Sequence, residues 1–328
     1  MRSPANLSGG VADSFVSESE YFQIPANFYH SDEIIDRDLF ILYQGQYLLF
    51  RPKNLVWKAE DSQRLEQFNV KSLWVRASTR DEHYLFLESN LSRILQQKKI
   101  SRAEKTQILF ETSEQVVGQI FNRPNSPEAV KRSVSLIKNS LDFLKNKENF
   151  HELMKFAATD FSEYAHAIQS AAYSIALAQR VGLTSFNDLS AIGVGSILHD
   201  LGKSKIDRRI LEKEEALSDD ERQEIRRHPE YGFDILKKTR AIPELSELIV
   251  LQHHERPGGR GYPHGLDTDI VLCAKIVAIT DCFDSLTSDR PWVQKLASFK
   301  AIQMMRTDLA MEYDQNLVLE FIKVLGVK

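Results

Sequence analysis

Six of the chain's nine histidines fall between His166 and His264, and two aspartates in the same stretch join them as candidates for chemistry. A lone histidine in an apolar helix is ordinarily a satisfied core or surface residue, so the argument rests on the set. His166 precedes small residues (Ala167, Ala171, Ala172, Ala176) that let neighbouring helices come close. His199-Asp200 ends the apolar run 189–198 just before Gly202, and His228 stands before Pro229. His253-His254 ends the apolar run 245–251, and Asp281 interrupts the apolar character of 270–279. Each polar group sits where a hydrophobic helix would otherwise continue. Buried imidazoles and carboxylates cost kilocalories unless paired, and bound cations are natural partners. Five imidazoles and two carboxylates, with no thiolate, form a nitrogen and oxygen set suited to iron, manganese or zinc rather than calcium or magnesium. Seven ligands are too many for one tetrahedral ion and suit two ions sharing a bridging group. Asp200 is the best candidate for the bridge, because a carboxylate has two oxygens to divide. Two such metals can hold and ionise a water while polarising a phosphoryl oxygen, the chemistry of phosphodiester hydrolysis.

These residues need a scaffold, and the texture changes along the chain. Residues 39–43 and 46–50 are aromatic and aliphatic runs flanking Gln44-Gly45, a hairpin signal closed by Pro52. Residues 59–68 have helical character, 72–75 read as a short buried strand, and 84–94 return to helix. In 101–121 the apolar residues recur near the helical period until Pro124-Asn125-Ser126-Pro127 stops them. Ser126, Pro127 and Glu128 supply an N-cap, a first-turn proline and a dipole-complementing acid for the next helix. Its stripe of Val130, Val134, Ile137, Leu141 and Leu144 suits packing within the chain's own bundle, with a homodimer seam as the alternative use. From 151 onward nearly every segment reads as helix, with Ser218-Asp219-Asp220-Glu221 as a capping box. The expected fold class is α+β overall. A disordered leader occupies 1–19, a small α+β regulatory or partner-binding module 20–95, a helical linker 96–150, and an all-α bundle 151–328.

Composition narrows the setting. At roughly 150 residues per domain, 328 residues make about two domains. Forty-two basic against 46 acidic side chains leave a net charge of −4 and no basic field to gather nucleic acid, so no DNA partner is expected. Cys273 and Cys282, the only cysteines, exclude a disulfide framework and a cysteine-based zinc knuckle and fit a reducing compartment. No stretch resembles a signal peptide, and none approaches the roughly 18 apolar residues of a membrane span. A cytoplasmic protein is the expectation.

The string His199-Asp200-Leu201-Gly202-Lys203 resembles the signature of HD-domain metal-dependent phosphohydrolases. The run from His253-His254-Glu255 to Gly261-Tyr262-Pro263 closely resembles the HHExxDGxGYP motif of the HD-GYP subfamily. His228-Pro229-Glu230-Tyr231-Gly232 matches that family's H-P-x-x-G, and the run from Asp281-Cys282-Phe283-Asp284 to Arg290-Pro291 matches its D-x-F-D-A-L-T-S-x-R-P. The resemblance covers the C-terminal half and implies an HD-type helical bundle. It implies a cyclic di-GMP phosphodiesterase with two transition-metal ions, iron or manganese, and a bridging water or hydroxide. Carried across by position, His166, His199 and Asp281 would hold one metal, His228, His253 and His254 the other, and Asp200 would bridge. Lys203 would meet the scissile phosphate, and Arg290 would bind a phosphate oxygen. The loop containing Gly261, Tyr262 and Pro263 would shape the substrate site, and in the family it is linked to binding diguanylate cyclases.

The chain departs from the pattern in places. Ser162 stands where members with a third metal carry Glu, with Glu163 one step off the face, so two metals and the product pGpG are expected. Gly258 replaces the Asp of DGxGYP, Val293 replaces a basic residue, and Trp292 replaces Tyr. These changes leave the expected cage intact and bear on substrate grip. The competing expectation is therefore a slow or inactive receptor or scaffold in cyclic di-GMP signalling that binds metal, nucleotide or partner proteins. A different HD phosphohydrolase acting on nucleotides is disfavoured by the Gly-Tyr-Pro loop.

Overall fold

A strand, β1 (Glu20–Pro25), leads into a hairpin of β2 (Leu39–Tyr43) and β3 (Gln46–Arg51). Its turn residues Gln44 and Gly45 both take positive φ, 48° and 80°, the mirror-image turn whose twist matches that of paired strands. Helix α1 (Ala59–Gln67) follows, and β4 (Ser72–Ala77) completes a sheet in the order β1-β4-β2-β3 with every neighbouring pair antiparallel. Leu39, Leu73 and Val75 from the strands are buried, as are Leu65 from α1 and Trp57. This is the small α+β unit the sequence predicts, ending at Phe86. β1 is the addition, since its few residues are too short to display an alternation.

The computed structural model describes residues 20–29, 31–77, 80–98, 100–158, 162–288 and 295–326. The expected leader, 1–19, and Arg290, Trp292 and Val293 lie outside them. Helix α2 (Arg80–Gln96) starts before the second unit, which runs from Leu87 and is helical throughout its described elements. Helices α3 (Arg102–Asn122), α4 (Pro127–Leu144) and α5 (Lys147–Ala157) each open on a side-chain cap, from Ser101, Ser126 and Asn146 respectively. They are followed by α6 (Glu163–Arg180), α7 (Phe186–Leu198), a 3-10 turn (Leu201–Lys205) and α8 (Arg208–Leu211). Then come α9 (Asp219–Arg226), α10 (His228–Thr239), α11 (Glu244–Gln252), α12 (Leu272–Thr287), α13 (Ser298–Arg306) and α14 (Gln315–Leu325). The Ser218 and Glu221 capping box opens α9 as read from the sequence.

The stretch read as a linker, 96–150, does more than connect. Leu109, Val116 and Ile120 of α3 and Val130, Ile137 and Leu141 of α4 are buried in the same core as α6 and α7. The stripe on α4 is thus covered by the chain's own helices. An amphipathic pattern reveals a face that needs cover, not what covers it.

Helix α7 is the axis of this unit. Every residue from Leu189 to Leu198 is buried, the mark of a helix apolar all round. Its glycines set how close the neighbours come: a Cβ on Gly193 would lie 2.8 Å from Ile137 of α4, and one on Gly195 2.8 Å from Ile249 of α11. Beneath the polar end of the helix, Ser174 of α6 bonds Thr280 of α12 at 2.7 Å and Ser196 of α7 at 3.2 Å. That buried hydroxyl group ties together the three helices that carry His166, His199 and Asp281.

Candidate metal centre

His199 caps the C-terminus of α7, and Asp200 opens the 3-10 turn that follows. The turn lies hard against the start of α10. A Cβ on Gly202 would overlap the backbone carbonyl of His228, and one on Gly232 would meet the Gly202 nitrogen at 3.3 Å. The two glycines therefore let the His-Asp turn and His228 share one site. His253 caps α11 with His254 next to it, His166 lies in the first turn of α6, and Asp281 lies in the second half of α12.

Seven side chains scattered over more than a hundred positions converge in two groups. His166, His199 and Asp281 form one, and Asp200, His228, His253 and His254 the other; within each group the potential ligand atoms lie within 4.8 Å of one another. The Asp200 carboxylate divides between them. Its Oδ1 is 3.3 Å from His228 Nε2, and its Oδ2 is 3.3 Å from His199 Nε2 and 4.0 Å from His166 Nε2. Asp281 Oδ1 stands 3.3 Å from His166 Nε2 and 3.8 Å from His199 Nε2.

Backbone carbonyls orient the rings. The Nδ1–H groups of His199, His228 and His253 donate to the carbonyls of Ser196, Ile225 and Val250 at 2.6, 2.8 and 2.8 Å. Each ring sits three residues after its acceptor, so the local helix geometry fixes the tautomer and turns Nε2 inward. His166 differs, donating from Nδ1 to the carboxylate of Asp284 at 2.6 Å. Asp284, 1% exposed, is part of the D-x-F-D run, whose resemblance assigns it no role. Its signal is an acid in an apolar helix three residues after Asp281, on the same face.

These inward nitrogens fit a cation. Buried Nε2 atoms of His166 and His199 make no aligned hydrogen bond among the described residues. His228 Nε2 and His253 Nε2 face each other at 3.2 Å, and with both Nδ1 atoms protonated those are two lone pairs in opposition. Burial holds His228 down to about 4 and keeps His253 and His254 well below the ordinary histidine range, so proton uptake does not relieve the opposition near neutral pH. Burial also works against the Asp200 carboxylate, but Lys203 and the neighbouring histidines outweigh it and keep Asp200 ionised. For His166, burial is overcome by Asp281 and Asp284, which raise it to about 10.

A sequence profile described as HD domain matches residues 148–317. The chain belongs to the HD domain family. Its motifs place it in the HD-GYP branch. It is 33% identical over 189 residues to a cyclic di-GMP phosphodiesterase of Pseudomonas aeruginosa, covering 57% of this chain and 45% of that one. It is 36% identical over 137 residues to a 3'3'-cGAMP-specific phosphodiesterase of Vibrio cholerae, covering 40% of this chain and 26% of that one. The chain thus spans less than half the length of these curated relatives. A solved structure, an HDG"Y"P protein from Bdellovibrio bacteriovorus, superimposes with a TM-score of 0.66 at 18% identity. That match covers 94% of this chain and all of the other, and shows the fold.

Around the HD-domain cluster, Lys203 Nζ donates to Asp200 Oδ2 at 2.6 Å, so the cation expected at the phosphate rests on the carboxylate between the two groups. Tyr262 is half-buried and stacks on His254, with centroids 4.6 Å apart and planes 25° apart. Gly261 passes where any Cβ would overlap the backbone of His254, Glu255 and Arg256, and the Tyr262–Pro263 peptide is cis. Ser162, at the position where a third metal would need Glu, caps α6 by accepting the Ala165 N–H at 3.0 Å. Gly258 takes φ 75°, a conformation open to glycine without strain, and its N–H donates to Asp267 at 3.0 Å. No helix among the described residues is long and apolar enough to cross a membrane.

Proposed function

We propose that this chain is a metal-dependent phosphodiesterase that hydrolyses cyclic di-GMP to pGpG at a centre of two transition ions, iron or manganese. The observation that carries the reading is the division of Asp200, one oxygen toward His228 and the other toward His199. His166, His199 and Asp281 would hold one ion, His228, His253 and His254 the other, and Asp200 both. When bound, such a pair supplies Lewis acidity and an activated water for in-line displacement at phosphorus. The chain's own residues do the rest. The carbonyl-locked imidazoles keep their lone pairs fixed inward, and the buried walls exclude competing solvent. Lys203, which donates to the Asp200 carboxylate, turns to the phosphate as negative charge grows there, and Arg290 takes a second phosphate oxygen.

The test is metal analysis of anaerobically prepared protein coupled to product analysis. Turnover of cyclic di-GMP to pGpG by iron- or manganese-loaded protein, abolished by Asp200→Ala, supports the reading. Nucleotide binding without hydrolysis overturns it in favour of a receptor. The Vibrio cholerae relative named 3'3'-cGAMP-specific favours a second substrate, so both cyclic dinucleotides belong in the assay. Faster turnover of 3'3'-cGAMP would reassign the substrate and leave the reaction class intact.

A further inference from the structure

Glu255 is 3% exposed, directly follows the His253-His254 pair, and belongs to neither metal-holding group. Its carboxylate is fully used. Oε1 accepts the His264 N–H at 2.8 Å and Oε2 the Leu266 N–H at 2.9 Å, two charge-assisted bonds to the backbone just beyond the Gly-Tyr-Pro turn. A buried carboxylate persists only where such bonds offset its lost hydration.

The same loop is pinned elsewhere. The Tyr262 N–H donates to the His254 carbonyl at 3.1 Å, and Gly261 runs flush against the Glu255 backbone. The loop therefore folds back on the residue that adjoins the metal-facing histidine. Its aromatic side chain, Tyr262, lies flat on His254, and the Arg226 guanidinium sits over the same ring, its carbon 5.5 Å from the centroid.

We infer that Glu255 is a positioning residue: by clamping the His264 and Leu266 amides it holds Tyr262 against His254 as a wall of the substrate site. This rests on the phosphodiesterase reading for the identity of the substrate, and on the loop geometry alone for the clamp. Glutamine in place of Glu255 keeps one acceptor but turns an NH2 group toward the other amide, so it breaks half the clamp at nearly constant volume.

The experiment combines hydrogen exchange with a double-mutant cycle on the metal-loaded protein. In Glu255→Gln, the amides of His264 and Leu266 are expected to exchange about tenfold faster while those of α11 and α12 keep their rates and bound metal is unchanged. KM for cyclic di-GMP is expected to rise about fivefold with kcat changed less than about twofold, the pattern of lost substrate binding. Tyr262→Ala should raise KM similarly, and the double variant should be no worse than Tyr262→Ala, because both act through one ring. Unchanged exchange at both amides, additive KM effects, or metal loss on Glu255→Gln would each overturn the inference. Faster exchange in a protein that hydrolyses no cyclic dinucleotide would sink the phosphodiesterase reading and the substrate-wall role while leaving the clamp.

Discussion

The Nδ1–H of His166 donates to Asp284 across 2.6 Å, joining α6 to α12 through a candidate ligand ring that a carboxylate orients, where carbonyls orient those of His199, His228 and His253. A carboxylate in that place raises the basicity of the imidazole and fixes its direction. Asp284→Asn keeps the shape and removes the charge. Affinity for the ion proposed to lie between His166, His199 and Asp281 is expected to fall about tenfold to a hundredfold. The ion beside His228, His253 and His254 should stay. Chelator competition with metal counting checks this, and equal loss of both ions would contradict it.

His254 and Lys203 are expected to separate metal binding from catalysis. His254→Ala removes a ligand, so bound metal and activity should drop together. Lys203→Ala leaves every ligand in place, so metal content should hold while kcat falls by about a hundredfold, as when a donor to developing charge is deleted. Elemental analysis and steady-state kinetics on the same preparations give both numbers.

Gly202→Ala tests the contact between the His-Asp turn and α10. The added Cβ meets the His228 carbonyl and the Gly232 nitrogen, both backbone, so no side-chain rotation relieves it. A loss of about 3 kcal/mol or more is expected in urea unfolding. An Ala variant of wild-type stability would mean that the two segments are not held in contact.

Metal-free protein should show a stability maximum near neutral pH. His228, buried and held to about 4, lies below its unfolded value near 6.5, so the unfolded chain takes up the proton first and stability falls as pH drops from 6.5 toward 4. Burial acts in the same direction on His253 and His254. His166 behaves oppositely: raised to about 10, its contribution is complete below 6.5 and disappears as pH rises through 10. Three groups against one make the acid side steeper, with a fall in melting temperature of roughly 5 °C or more by pH 5. Thermal melts in the presence of chelator check this, and a midpoint that rises on acidification would contradict it.

The hairpin at Gln44-Gly45, the capping box at Ser218 and the all-helical second half were legible because each is written in local residue order: a turn that accepts positive φ, a hydroxyl paired with an acid three positions on, apolar residues at helical spacing. The seven candidate ligands were legible too, since polar groups ending apolar helices demand partners wherever they fold. Their pairing was not. It was carried by motif resemblance, and only the packed helices divide Asp200 between His199 and His228.

What the chain's order determined by itself was the inventory of candidate ligands and the helices bearing them, because hydrophobic periodicity and capping act over a few residues. The tertiary structure decided what lies between distant segments: the Gly202 and Gly232 contact, the Asp284 bond to His166, the Glu255 clamp, and the use of 96–150 as core rather than linker. Those depend on which helix faces meet, and that is set by side-chain volumes and close backbone approach, quantities that no local pattern records.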